Sequence, residues 1–241
     1  MEVGLPSYTG QMIRIKPATG EIYHVYNRGV EKRDVFMDDR DRNRFVFNLF
    51  WFNDDSPIFN NNRLMEVGLP SIDERNRLIE ILAFALMPNH YHLMLKQSVD
   101  GGITEFMRKV GTGYTNYFNT KYQRVGPLFQ GKFKAALIKE ERHFVCLPYY
   151  IHLNPLDLLD KRWRTQYISD TKQAQRFLDS YKWSSHLDYA GLTNFPEVVS
   201  KELLSEFFLN PAQYKKDIFN WISEANLSEI AEFSLEPTNE L

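Results

Sequence analysis

Alternation and helical spacing divide the chain into a short series of elements. Glu21 to Arg28 (EIYHVYNR) sets Ile22, His24 and Tyr26 on one side and Tyr23 and Val25 on the other, which predicts a strand ended by Gly29. Asp38 to Phe52 carries Phe45, Val46, Leu49, Phe50 and Phe52 behind Asp38, Asp39 and Asp41, acids suited to a helix N-terminus. Asp54 to Asn62, with Pro57 and three consecutive asparagines, predicts a loop. Leu78 to Met87 is a nearly unbroken apolar run, the pattern of a buried strand, and Pro88-Asn89 supplies turn chemistry. His90 to Gln97 then alternates, with His90, His92, Met94 and Lys96 on one face and Tyr91, Leu93 and Leu95 on the other. These two runs predict a β-hairpin.

Ile103 to Tyr122 predicts a helix that Gly111 and Gly113 weaken. Leu128 to Ile138 predicts a strand, and Glu140 to Asn154 a helix closed by Pro155. The order β-α-β-β-α-β-α implies an α+β fold. Its first six elements match a ferredoxin-like split βαβ unit, an antiparallel four-stranded sheet with two backing helices, followed by a further helix that carries candidate chemistry. Residues 1–20 read as a loose N-terminal arm, 21–160 as the main domain, and 161–241 as a helical C-terminal extension, peripheral from about Trp163. The heptapeptide MEVGLPS occurs twice, at Met1–Ser7 and Met65–Ser71, and nothing in the sequence explains it.

Composition adds little until it is read by position. The net charge is −2, yet Arg108, Lys109, Lys121, Arg124, Lys132, Lys134, Lys139 and Arg142 crowd the middle of the chain, while acids dominate from Asp188 onward. A basic middle is either a local nucleic-acid footprint or a solvated surface. Aromatic residues reach 15%, which suits a bulky core or platforms on which bases stack. Cys146 is the only cysteine, so no intramolecular disulfide forms. The longest apolar runs are too short to span a bilayer and no signal-like segment opens the chain, so a cytoplasmic protein without membrane contact is expected.

Two imidazoles at i, i+2 on a strand share a face, so His90 and His92 can reach one cation; the same spacing also describes two ordinary histidines. Tyr150 and Asn154, at i, i+4 on a helix, share a face as well. An asparagine carbonyl is an acceptable ligand for Mg²⁺ or Mn²⁺, and a phenol beside such an ion can attack phosphorus. For an isolated Tyr-x-x-x-Asn, core packing plus a helix cap is the commoner explanation. Tyr149 competes with Tyr150 as nucleophile, and Pro148 removes a helix hydrogen bond just ahead of both. Lys132 and Lys134 alternate along their strand; with Arg108, Lys109 and Arg124 they are candidate phosphate contacts, and Tyr114, Tyr117 and Tyr122 candidate stacking rings. His24 is placed near the site or in a structural role.

Met87 to Leu95 (MPNHYHLML), with Tyr23 to Gly29 (YHVYNRG), Gly126 to Ile138 (GPLFQGKFKAALI), Tyr150 to Pro155 (YIHLNP) and Tyr181 to Gly191 (YKWSSHLDYAG), resembles the REP-associated tyrosine transposases, relatives of the single-tyrosine insertion-sequence transposases. The resemblance covers roughly residues 20–190, in order. It implies that His90 and His92 form the His-hydrophobic-His (HUH) metal pair, that Asn154 is the third ligand of Mg²⁺ or Mn²⁺, and that Tyr150 is the nucleophile. It further implies a DNA strand transferase, working as monomer or homodimer on single-stranded or hairpin DNA at a palindromic repeat or element end. Two other readings remain: a replication-initiator or relaxase-type nickase, and a non-enzymatic RRM-like nucleic-acid-binding module.

Overall fold

The computed structural model describes residues 16–56, 75–161, 163, 168 and 170–223. Both copies of MEVGLPS lie outside these residues. The elements are β1 (Ile22–Arg28), α1 (Asp39–Trp51), β2 (Ile79–Met87), β3 (His90–Gln97), α2 (Gly102–Lys121), β4 (Lys134–Leu137) and α3 (Glu141–Leu153). The four strands form one sheet in the order β2-β3-β1-β4, with every neighbouring pair antiparallel. That is the expected split βαβ arrangement.

The sheet separates an apolar face from a functional one. Tyr23 and Val25 of β1 lie opposite Leu95 and Leu93 of β3, and Phe84 and Leu86 of β2 continue the same apolar face. Helices α1 and α2 cover it. Phe45 of α1 packs within 5.2 Å of Phe36, 5.0 Å of Tyr91 and 5.1 Å of Tyr114, ring centre to ring centre. Each such fully buried large side chain stabilises the fold by about 1.5–3 kcal/mol relative to exposure. Gly113 is required where α2 meets α1's end, because a Cβ there would stand 2.5 Å from the Phe52 ring.

The start of α1 is fixed by charge. Asp38 caps the helix by accepting from the Asp41 amide, and the buried Asp41 carboxylate accepts from Lys121, Tyr117 and Tyr122 at the far end of α2. The Asp38 carboxyl is held below its usual range by its hydrogen bond to Lys121.

Two expectations change. The strand read over 128–138 is only Lys134–Leu137, because Gly131 turns at φ 72° and Phe129 makes just an isolated bridge to Gly29. The region from Trp163 is not peripheral. It contributes α4 (Thr171–Ser180), α5 (His186–Tyr189), α6 (Glu202–Ser205) and α7 (Pro211–Ser223). Residues 183–185 run along the edge of β2: the Leu86 amide donates to the Trp183 carbonyl and the Ser185 amide to the Phe84 carbonyl. Trp163, Leu178, Tyr214, Ile218 and Ile222 are buried in the same core as the sheet. Among the described residues no helix is long and apolar enough to cross a membrane.

Candidate metal and nucleophile site

Strand register assembles the site on the face opposite α1 and α2. Arg28, Tyr26 and His24 of β1 lie directly across from His90, His92 and Met94 of β3, and cross-strand partners share a face. Lys134 of β4 lies across from Tyr26 on its other side, and its ammonium stands 5.5 Å from the Tyr26 ring centre. Small residues on β2, Ala83 and Ala85, pair with Met94 and His92. Helix α3 lies over this face, against β2 and β3.

The helix runs through Pro148 without interruption, and it sends its two adjacent tyrosines to different surroundings. The Tyr150 ring meets His92 edge-on at 5.6 Å and His24 at 6.0 Å. Tyr149 turns instead toward the C-terminal helices, packs on Phe208 and Trp221, and donates its hydroxyl to Asp217. Burial, with the Asp217 carboxylate next in weight, pushes the Tyr149 phenol well above its usual range. The packing therefore gives different surroundings to Tyr149 and to Tyr150, the residue that the i, i+4 relation to Asn154 and the resemblance choose.

His90 and His92 stand 5.0 Å apart, centre to centre, with their rings near perpendicular. Both have Nδ1 engaged: His90 with Asn89 Oδ1 at 2.6 Å and His92 with His24 Nε2 at 2.8 Å. His24 is fully buried, and burial lowers its pKa to about 3, so it is neutral at physiological pH. Its Nδ1 has no hydrogen-bond partner among the described residues. Asn154 follows α3 in a short 3-10 turn; its amide Nδ2 donates to the Tyr150 carbonyl at 2.7 Å, which ties the position of one residue to the other.

Imidazole nitrogens and an amide oxygen are donor types that a divalent cation accepts. Such a mixture suits Mn²⁺ better than Mg²⁺, which favours oxygen-only surroundings. Among the described residues no cluster of three or more His, Cys, Asp or Glu is gathered for a metal, so a cation here would need Asn154, substrate or water to complete its shell.

The basic candidates divide sharply. Lys132 is exposed in the bend just before β4, and Lys134 falls on the site side of that strand by its register with Tyr26. Arg124 is half-buried, with Nη1 donating to Asn119. Arg108 lies on α2, behind the sheet, in a bidentate pair with Glu105. Lys109 is buried, and its ammonium is spent on the carbonyls of Asp54 and Ser56, so it drops out of the phosphate-contacting set. Tyr114 is buried with its hydroxyl on the Val35 carbonyl, and Tyr117 and Tyr122 are half-buried with their hydroxyls on Asp41. Arg28, opposite His90, was overlooked in the sequence; its place after an alternating strand marks it as a residue of the site face.

Residues 63–154 match a family described as "Transposase IS200 like". This segment holds His90, His92, Tyr150 and Asn154. Among solved structures, one described as a REP-associated tyrosine transposase bound to a REP hairpin is similar at 16% identity, covering 76% of this chain and 88% of that one, with a TM-score of 0.47. No curated protein matches the chain.

Proposed function

Residues 63–154 match the IS200-like transposase family, and on that likeness we propose that the chain is a transposase of this kind that cleaves and rejoins single-stranded DNA through Tyr150. The observation that carries this reading is the placement of Tyr150, rather than Tyr149, against the paired histidines. Tyr150 Oη attacks a phosphodiester phosphorus. A tyrosine O–P bond forms as the P–O3′ bond breaks, and the leaving 3′ oxygen takes up a proton while the phenol loses one. The 5′ phosphate stays on the protein; attack by another 3′ hydroxyl reverses the step, so rejoining needs no external energy source.

His90, His92 and Asn154 are the residues that would hold Mg²⁺ or Mn²⁺. When bound, the cation supplies Lewis-acid polarisation of a phosphoryl oxygen. Asn154 also holds the Tyr150 carbonyl, so ligand and nucleophile share one helix end. Arg28 and Lys134 lie on the face by which a phosphodiester backbone would approach, with the exposed Lys132 just before β4 and Arg124 as further candidate contacts. Tyr150 is only 1% exposed, so attack requires local opening over its ring. The substrate we propose is hairpin DNA with single-stranded flanks, such as a palindromic repeat. It rests on the sequence resemblance carried by MPNHYHLML, YIHLNP and GPLFQGKFKAALI.

The test is a covalent adduct. A hairpin oligonucleotide labelled 3′ to the cut and incubated with Mn²⁺ should give a band that survives denaturation. Tyr150→Phe should erase it, and Tyr149→Phe should keep it. Cleaved product without any adduct would replace the tyrosine mechanism with hydrolysis by a metal-activated water. Hairpin binding without cleavage under any divalent cation would favour a non-enzymatic module.

A further inference from the structure

We infer that Asn89 and His24 are positioning residues that hold His90 and His92 by Nδ1, so that both rings offer Nε2 to the cation. The inference rests on the metal reading above and says which atoms bind and what sets them.

At His90 the proton is assigned by chemistry. Asn89 Nδ2 donates to the Lys32 carbonyl at 3.1 Å, which fixes the amide so that Oδ1 faces His90. A carboxamide oxygen only accepts, so the proton of the 2.6 Å contact belongs to His90 Nδ1. When the His90 ring is neutral its single ring proton is the one on Nδ1, and Nε2 is the unprotonated nitrogen. Asn89 can do this because it sits in the hairpin turn immediately before β3, with its carbonyl clamped by the Gly29 amide.

At His92 the partner is another imidazole, and one proton lies between the two rings at 2.8 Å. If that proton is on His92, then His24 Nε2 accepts it and His92 Nε2 is bare. If it is on His24, then His92 carries its own proton on Nε2 and cannot bind a cation there. Both rings are fully buried, so water does not substitute for either. A cation at Nε2 selects the first arrangement, with His24 as acceptor. A second side chain that engages the far nitrogen of a ligating histidine commonly sets its tautomer and orientation. The two ligands therefore differ: His90 is set in advance, whereas His92 is set as the cation arrives.

Two readouts test this on the full chain. The first is ¹⁵N–¹H correlation NMR of histidine tautomers in metal-free protein. His90 should be the Nδ1–H form, and Asn89→Ala should return it to the Nε2–H form common in water, while Asn89→Asp, which keeps an acceptor, should retain Nδ1–H. The second is Mn²⁺ affinity by calorimetry. His24→Leu removes the acceptor and should weaken binding by about 10–100-fold. His24→Gln keeps an acceptor oxygen near the position of Nε2 and should recover most of that loss, which a purely steric role for His24 would not explain. A wild-type His90 in the Nε2–H form, or equal Mn²⁺ affinity in wild type and His24→Leu, overturns the inference. A wild type that binds no Mn²⁺ at millimolar concentration, with His90 still Nδ1–H, instead overturns the metal reading and supports the hold of Asn89 on His90.

Discussion

On one side of α3, His24, His90 and His92 gather beneath Tyr150; on the other, His152 and His186 are strung between Ser185, Tyr214 and Asp179. Tyr150 and His152 are two residues apart on a helix, which puts them on roughly opposite sides of it. The second chain closes completely. The Asp179 carboxylate accepts from His186 Nε2, the Tyr214 hydroxyl bridges His186 Nδ1 and His152 Nδ1, and His152 Nε2 meets the Ser185 hydroxyl. Ser185 Oγ in turn accepts from the Phe84 amide of β2. All four ring nitrogens are used. Burial keeps His152 well below the usual histidine range, hence neutral.

The first cluster does not close. His24 Nδ1 is buried with no hydrogen-bond partner among the described residues, and Tyr150 presents a ring edge to the histidines. Both clusters contain histidines that are nearly or wholly buried, so burial and residue type do not distinguish a functional group from a structural one. The difference lies in hydrogen-bond completeness. A satisfied polar chain fixes how the C-terminal helices dock on α3 and β2, whereas in the cluster under Tyr150 the buried His24 Nδ1 has no hydrogen-bond partner among the described residues.

Mutation should separate the two, and the largest effect belongs to the open cluster. His90→Ala should lower Mn²⁺-dependent cleavage at least about a hundredfold, because Lewis-acid stabilisation contributes several kcal/mol. Its melting temperature should fall less than that of a variant in the closed chain. Gel assays of cleavage beside thermal denaturation measure both, and near-normal cleavage by His90→Ala would remove the metal from the site.

Tyr214→Phe should show the reverse pattern. It deletes the one hydroxyl that bridges both histidines, and each buried group left unsatisfied costs about 1–3 kcal/mol. For a chain of this size each kcal/mol lowers Tm by about 2–4 °C. Cleavage at a temperature where the variant stays folded should remain within a few-fold of wild type. A large fall in cleavage with unchanged Tm would mean that the chain aims Tyr150 rather than merely docking the C-terminal helices.

This contrast also explains what could be read from the sequence. The hairpin over Ile79–Met87 and His90–Gln97 follows from an almost unbroken apolar run, the Pro88-Asn89 turn and the alternation of the second strand, which also puts His90 and His92 on one face. The docking of residues 183–185 on β2 was not legible. The segment is Trp-Ser-Ser, too short to alternate, and Ser184, Ser185 and His186 look like surface residues until their mutual hydrogen bonds are seen. The roles of His24 and Asn89 were hidden for a related reason, since they depend on cross-strand register and ring orientation, neither of which leaves a mark in spacing.

Lysines give the finest version of the same comparison, because Lys134 and Lys109 carry equal charge in opposite settings. Lys134 lies on the site face across from Tyr26; Lys109 is buried against two backbone carbonyls. Neutralising a phosphate releases condensed counterions, so each lysine that contacts DNA adds about 0.7–0.9 to the slope of log affinity against log salt. Lys134→Ala should therefore weaken hairpin binding several-fold, reduce that slope by about one contact, and leave Tm nearly unchanged. Lys109→Met keeps most of the aliphatic stem but removes the charged donor from the carbonyls of Asp54 and Ser56; a hydrogen bond to a charged group contributes about 1.5–3 kcal/mol. It should lower Tm and leave the salt slope at its wild-type value. Fluorescence anisotropy across a salt series, paired with melting curves, gives both quantities for both variants. If Lys109→Met instead shifted the slope while Lys134→Ala did not, the DNA path would have to cross the α2 side of the sheet, away from Tyr150, and the proposed approach to the nucleophile would be wrong.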